Sequence, residues 1–337
     1  MRKIKRFRHI ASAVSGGVFV CIATQGLQAA EFYQTVTPGA TGDIRAAELP
    51  PEPGFYAIGG LWGNRRDALL DRSGNRMYPD TEEDLLQGQL GGLFVYPGEL
   101  LGGRLASSVV FAYGKHDLTV TNTLPVDLTE EQTGLFDAYS DLFFWSKSWY
   151  KGPPMGLQPG SDFIPPPVGF TFGFGLGITI PIGNFSGTTV GNPGFNNWVL
   201  SPNIAFTYRT APLLLHGTEF STRIFYNHNF DREDTTGGFS YRDGDYISAD
   251  FAVTERFNQF QFGLAGNIKW QVEDDEGSLA VPAVDGQRHK SFRLGPLLAI
   301  DLPDKQGTVT LKYLADVYNR NSFEGGYLQL SFIRKLW

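Results

Sequence analysis

No run of about 18 or more apolar residues occurs anywhere in the chain, so no single helix in it is long enough to cross a bilayer. Cysteine is almost absent, with Cys21 alone in 337 residues. It follows Val20, where a lipid-attachment sequence needs a small residue, and it falls inside an apolar leader. It is therefore expected to leave with that leader, and the mature chain then has neither a disulfide framework nor a thiol nucleophile. Histidine is scarce, five in all, which limits the choice of catalytic base and metal ligand. A surplus of positive charge is also missing: 28 Lys and Arg stand against 35 Asp and Glu, a formal charge of −7. Nucleic-acid binding wants a basic face, so no nucleic-acid partner is expected.

Export signals, glycine and aromatic residues are present instead. Met1 to Arg8 is basic, Ile10 to Thr24 is a short apolar stretch, and Leu27-Gln-Ala-Ala30 offers a small-residue cleavage site before Ala30 or Glu31. That is the pattern of a secretory signal peptide over residues 1–30. Its removal takes away Arg2, Lys3, Lys5, Arg6 and Arg8 and moves the formal charge from −7 to −12. Residues 31–52 are Pro/Ala/Thr-rich and aperiodic, and read as an N-terminal extension before a single domain over residues 53–337.

The clearest periodicity runs from Asn258 to Val272. Phe260, Phe262, Leu264, Gly266, Ile268, Trp270 and Val272 alternate with Gln261, Gly263, Ala265, Asn267, Lys269 and Gln271. A period of two is a β-strand, because successive side chains point to opposite faces. Val168–Ile180, Asn197–Arg209 and Gly307–Tyr318 repeat the pattern, with bulk on one face and Gly, Thr, Asn or charge on the other. A soluble barrel would fill its interior with the bulky face. Here the small and polar face must look inward, which makes the chain an all-β transmembrane antiparallel up-and-down barrel in the bacterial outer membrane.

Twelve strands are expected: Pro53–Trp62, Leu86–Tyr96, Gly103–Tyr113, Ala138–Trp149, Val168–Ile180, Asn197–Arg209, Thr218–Phe230, Gly244–Arg256, Asn258–Val272, Ser291–Asp301, Gly307–Tyr318 and Glu324–Leu336. The first is apolar on both faces and the fourth breaks its alternation at Phe143-Phe-Trp145, so ten or fourteen strands stay open. Connections alternate between long and short, as outer loops and periplasmic turns do. Two resist the rule. The Pro-rich Tyr150–Pro167 stretch is long for a periplasmic turn, and Asn319–Phe323 is short for an outer loop. The acidic runs Thr81–Asp84, Asp231–Asp234 and Glu273–Glu276 are expected outside the strands. In the last strand, Trp337 is out of phase with Leu328, Leu330, Phe332 and Leu336. Either a bulge near Phe332-Ile333 or an end beyond the bilayer would account for it.

The run Phe172-Gly-Phe-Gly-Leu-Gly-Ile-Thr-Ile-Pro-Ile-Gly-Asn-Phe185, the stretches Gly191–Trp198 and Ser201–Tyr208, Pro53-Gly-Phe-Tyr56, Trp270-Gln-Val-Glu-Asp-Asp275 and Arg293-Leu-Gly-Pro296 resemble the transporter family of the "putative MetA-pathway of phenol degradation". The resemblance covers nearly all the mature chain. It implies an outer-membrane β-barrel channel for passive uptake of small aromatic or hydrophobic compounds, and it brings no established catalytic residues. The Lys115–Gly134 insert and the Gly152–Pro167 segment depart from the family pattern.

By phase, Arg104, Glu219, Arg223, Asn227, Asp250, Gln261, Asn267, Lys269, Arg293, Lys312 and Asp316 point into the barrel. A charge on the lipid face costs ~2–4 kcal/mol for Arg or Lys at mid-depth, so the lumen is where they can sit. They are the expected pore lining, with Arg104, Arg223, Lys269 and Lys312 its basic members. Against this stands a self-satisfied ion-pair network that plugs a narrow barrel. The remaining alternatives are a non-conducting barrel whose loops bind a partner or lipopolysaccharide, and an outer-membrane lipid-modifying enzyme.

No cofactor is called for. His116, His216 and His289 fall in or near loops, His228 falls on the lipid-facing phase near a strand end, and no G-x-S-x-G motif is present, so no enzyme is expected. The carboxylates of Glu273–Glu276 and Asp243–Asp245 could hold Ca²⁺ but complete no EF-hand. They read as solvated turns, as does Arg65-Arg66. Expected partners are outer-membrane lipid and lipopolysaccharide, the barrel-assembly machinery and a small hydrophobic or aromatic solute.

Overall fold

A computed structural model describes residues 43–78, 81–121, 128–150, 167–186, 189, 191–211, 213–232, 241–277, 288–302 and 307–337. The leader and most of the Pro-rich 152–167 segment lie outside the described residues.

Alternation in the sequence becomes sixteen strands: β1 (Gly54–Leu70), β2 (Arg76–Tyr78), β3 (Thr81–Val95), β4 (Arg104–Val120), β5 (Leu128–Leu135), β6 (Ala138–Tyr150), β7 (Gly169–Ile180), β8 (Val199–Arg209), β9 (Thr218–Asn229), β10 (Tyr241–Arg242), β11 (Tyr246–Phe257), β12 (Phe260–Gln271), β13 (Glu276–Gly277), β14 (Lys290–Asp301), β15 (Gly307–Arg320) and β16 (Phe323–Lys335). Twelve of them form the barrel, each antiparallel to the next, from β1, β3, β4 and β6 through β9 to β11, β12 and β14 through β16. The seam closes where β16 pairs with β1, in a register that sets Leu61 against Leu330 and Gly60 against Ser331. Closure leaves no open edge, which a sheet in hydrocarbon requires. The chain is an outer-membrane β-barrel.

Burial follows the pleat. Leu61, Leu90, Phe111, Tyr208, Leu264, Leu298 and Leu330 are exposed on the outside, where lipid covers them, while Thr171, Asn203, Ser221, Asp250, Gln261 and Asn267 are buried inside. Phe257 and Phe260 flank a two-residue turn in which Asn258 takes φ 52°, a left-handed conformation that Asn tolerates better than most residues.

Three expectations need correction. The first three barrel strands reach 15 to 17 residues, well beyond their expected ends. A crossing needs only ~9–11 residues, so their outer ends rise above the bilayer. Arg65-Arg66 is therefore strand and not loop. Arg65 faces out, and Arg66 is buried inside against Glu83 at 2.8 Å. For the same reason Thr81–Asp84 lies within β3, with Glu82 exposed and Glu83 inward. The broken alternation at Phe143-Phe-Trp145 is a register shift between Asp141 and Phe143, which returns Phe144 and Ser146 to the inner face. At the C-terminus there is no bulge: the β1–β16 register runs unbroken from Tyr56↔Lys335 to Arg66↔Gly325. Leu336 and Trp337 lie past the strand, with the Trp337 ring stacked on Phe55 at 4.8 Å. The short Asn319–Phe323 connection is a turn through Asn321 and Ser322 between two long strands.

Both termini of an even-stranded barrel sit on the periplasmic side. That places the Phe257–Phe260 turn and the 43–53 segment at the periplasmic end, and the described loop residues 181–186, 191–198, 230–232 and 241–245 at the outer end.

Candidate functional site

Residues 43–50 cross the periplasmic half of the lumen. Their sequence, Asp43-Ile-Arg-Ala-Ala-Glu-Leu-Pro50, has no alternation to pair as a strand, and its polar groups are satisfied by the walls instead. Asp43 pairs with Lys312 of β15. Arg45 grips Asp301 of β14 through both carboxylate oxygens, at 2.6 and 2.8 Å, and reaches Gln261 at 3.2 Å. The backbone N–H groups of Arg45, Ala46 and Ala47 donate to Glu219, Ser221 and Thr207. Glu48 accepts from Arg209 and Thr171. Ser146 donates to Ala47, and Arg104 donates to the Leu49 carbonyl at 2.8 Å. A segment with no secondary structure of its own is thus tied to strands on opposite sides of the barrel.

The wall from β8 to β14 is polar and internally paired. Arg223 donates to Asp141 at 2.6 Å and Asn203 at 3.0 Å, and its guanidinium lies over Phe144 and Phe225. Arg256 joins Asp301 and Gln261, both at 2.6 Å. Asn267 donates to Asp250 at 2.7 Å, and Asn227 links Ser201 to Ser248. A buried charge is costly unless paired, so these pairs are what let the residues stay inside.

Opposite lies a wall of uncharged and mostly small residues. Thr310, Ser331, Gly60 and Gln89 stand side by side across β15, β16, β1 and β3, with Ile58 and Gly91 one step towards the periplasm. All six are partly exposed although they face inward. Unfilled space in the periplasmic half therefore lies along this wall. Gly91 fits for a local reason: a Cβ there would lie 2.1 Å from the Val109 carbonyl oxygen.

Nearer the outer end a second charged layer crosses the barrel. Arg66, Glu83 and His116 form a buried chain, with His116 Nε2 2.9 Å from Glu83 and Nδ1 3.3 Å from the Asn192 carbonyl of the 181–198 loop. Arg293 donates to Asp316 at 2.8 Å beside it. At the rim, Asp137 accepts the N–H groups of Gly183 and Phe195, and burial pushes its carboxyl up to about 6 despite those two bonds. Asp275 is likewise pushed up to about 6, by burial and by neighbouring Asp243. The Tyr241 hydroxyl lies 3.0 Å from Asp243 and 3.1 Å from Asp275, and has one proton to give to the two.

All eleven residues expected as pore lining face inward, and the structure gathers them into three groups. Arg104, Glu219, Gln261 and Lys312 hold the N-terminal segment. Arg223, Asn227, Asp250 and Asn267 belong to the polar wall. Arg293 and Asp316 form part of the outer layer, and Lys269 lies over the Tyr246 ring at 4.5 Å. Sequence reasoning missed Asp43, Arg45 and Glu48, which sit in an aperiodic stretch. It also missed Trp62, Asn64 and Arg66, although their shared phase beyond the expected strand end was there to follow.

His228 pairs with Asp245 at 2.7 Å on the outer face, and His216 accepts the Asn258 N–H. His289 lies 3.0 Å from Ser291, but that serine is buried, whereas a nucleophile must meet its substrate. Among the described residues no group of three or more His, Cys, Asp or Glu is placed to hold a metal ion.

Over residues 67–332 the chain matches the sequence model of the family described as "Putative MetA-pathway of phenol degradation". Among solved structures it is similar to the COG4313 outer membrane channel from Pseudomonas putida F1, with a TM-score of 0.69 and 12% identity over 90% of this chain and 100% of that one. That likeness shows the fold. The beta domain of the Bordetella autotransporter BrkA (TM-score 0.41, 10% identity, 85% of this chain and 100% of that one) and the NanC porin (0.40, 12%, 83% and 100%) are more distant barrels. No curated protein matches the chain.

Proposed function

The chain belongs to the family described as "Putative MetA-pathway of phenol degradation", and from that premise we propose that it is a passive outer-membrane channel for small aromatic or hydrophobic compounds. The observation that carries this reading is the asymmetry of the lumen. The N-terminal segment is held chiefly by charged residues of β8 to β14, with Lys312 of β15 joining from across the lumen, and partly exposed uncharged residues line the wall of β15, β16, β1 and β3. A solute passes along the wall of Ile58, Gly60, Gln89, Gly91, Thr310 and Ser331, where no ionised side chain has to be desolvated. Arg223, Asp250 and the other polar-wall residues shape the passage from across the lumen, paired among themselves. No side chain is given a catalytic role, and the leader is cut on export before Ala30 or Glu31, which the mass of the mature protein checks.

Reconstitution tests this directly. The full-length mature protein in planar bilayers and proteoliposomes is expected to pass phenol, and Arg45→Ala is expected to raise conductance severalfold. Asp301 keeps its bond to Arg256 in that variant, so the barrel stays folded. No conductance and no solute flux from either protein would sink the channel. The ion-paired lumen favours one other reading, a non-conducting barrel that acts through its outer loops, and that result would establish it.

A further inference from the structure

Midway along the lumen, between the level of Asp43 and the outer charged layer, four side chains of the β1–β16 seam converge. The register sets Trp62 beside Gln329 and Asn64 beside Tyr327, all four facing inward. They are buried, with 3%, 3%, 7% and 2% of their surface exposed in that order. Yet the Trp62 indole N–H, both polar atoms of the Asn64 amide, the Tyr327 hydroxyl and the Gln329 carbonyl oxygen have no hydrogen-bond partner. Elsewhere in the lumen Arg223, Gln261 and Asn267 are tied to neighbours at 2.6 to 3.0 Å, and atoms left without a bond, such as Asp250 Oδ2 and Arg45 Nε, belong to side chains that are paired through their other atoms. Leaving a buried donor or acceptor unpaired costs about 1–3 kcal/mol each. Five such atoms on two adjacent strands point to an occupant that completes them.

We propose that these residues form a binding niche for a small aromatic compound carrying a hydroxyl group; this deepens the channel reading and rests on it. A phenolic hydroxyl has one proton to give and lone pairs to receive, and the niche offers both counterparts. The Gln329 carbonyl accepts, and the Trp62 N–H donates. The ring is served as well. Trp62 and Tyr327 meet edge to face with centroids 5.6 Å apart and share an apolar cluster with Leu85, Leu314 and Ile44, which a bound ring would join. Lys312 and Arg293 lie over the Tyr327 ring at 5.7 and 5.8 Å, holding it from turning away. A plain hydrocarbon would meet the rings but leave the polar atoms unpaired. The niche therefore discriminates for the hydroxyl.

The test is titration of the full-length mature protein in detergent with phenol and with toluene, alongside proteoliposome flux of both. Trp62→Phe and Tyr327→Phe keep the rings and remove the donors, and Gln329→Met removes the acceptor at similar volume. Folding of each variant is checked by heat-modifiable gel mobility. Phenol is expected to bind more tightly than toluene, and Trp62→Phe and Gln329→Met are each expected to weaken phenol about two- to tenfold and toluene by less than twofold. Phenol affinity unchanged in all three variants, or no saturable phenol binding to the unaltered protein, would overturn the niche. If flux persists in that case, the channel stands without it. If flux is absent too, both fall.

Discussion

In the periplasmic half of the barrel, the polar wall of β8 to β14 and the small-residue wall of β15, β16, β1 and β3 enclose one lumen and solve opposite problems. On the polar wall Arg209, Glu219, Arg256 and Asp301 are stable only because each has a charged partner, and several of those partners come from the N-terminal segment. On the other wall Gly60, Gly91, Ser331 and Thr310 need no partner, because they present little to desolvate. Charge on β8 to β14 supplies most of the segment's anchors, with Lys312 reaching it from β15, and smallness leaves room beside β16, β1 and β3. A barrel lined evenly with either kind of residue would be filled by its own ion pairs or would lack anchors for the segment.

The largest expected effect comes from closing the small-residue side. Ser331→Trp puts an indole where Gly60 and Thr310 leave space, and phenol flux should fall about tenfold or more, with heat-modifiable mobility retained. Unchanged flux would place the path elsewhere. A change on the polar wall should do the reverse. Arg223→Met leaves Asp141 buried with only Tyr139 and Ser108 for partners, and loss of one member of a buried pair costs about 3–5 kcal/mol. The thermal unfolding midpoint should drop by several degrees while phenol flux stays within about twofold. Flux loss as large as that of Ser331→Trp would erase the distinction between the walls.

The smallest effect is expected at the rim, which belongs to neither wall. Asp137 and Asp275 are raised in the folded state from 3.8 to about 6. A raised carboxyl favours the fold in its protonated form. Its contribution is complete below the unfolded value and is lost as pH rises through about 6. Proteolysis of the outer loops should therefore be a few-fold slower at pH 5 than at pH 8. Asp137→Asn, which also gives up one of the two N–H bonds, should flatten that difference.

Much of the barrel was legible in the sequence, because a two-residue period is a local signal and lipid makes it strict. Strands such as Phe260–Gln271 and Gly169–Ile180 could be read to within a residue or two. Strand ends were harder. Above the bilayer the outer face is charged again, so Arg65 and Glu82 looked like loop while Arg66 and Glu83 continued the inward phase. The bulge at Asp141–Phe143 showed only as a fault in the pattern. The inward direction of Arg223, Asp250 and Lys312 was readable from phase, but their partners were not. Asp141 is 82 residues from Arg223, and Asp43 is 269 from Lys312. No periodicity reports which strands face each other across a lumen. The 43–50 segment left no mark at all, since its order comes entirely from the walls.

That segment has a mechanical consequence. Bonded to β15, β14 and β9 at one end and to β8, β6 and β4 at the other, it works as a cross-brace inside a thin-walled tube. A barrel without a brace can flatten into an ellipse under lateral pressure from the bilayer, whereas a braced one keeps the cross-section set by the length of the strut. Withdrawing the segment would therefore do more than unblock the lumen: it would free the tube to change its shape. Membrane tension and bilayer thickness would then act on the same degree of freedom as the ion pairs that hold Asp43, Arg45 and Glu48.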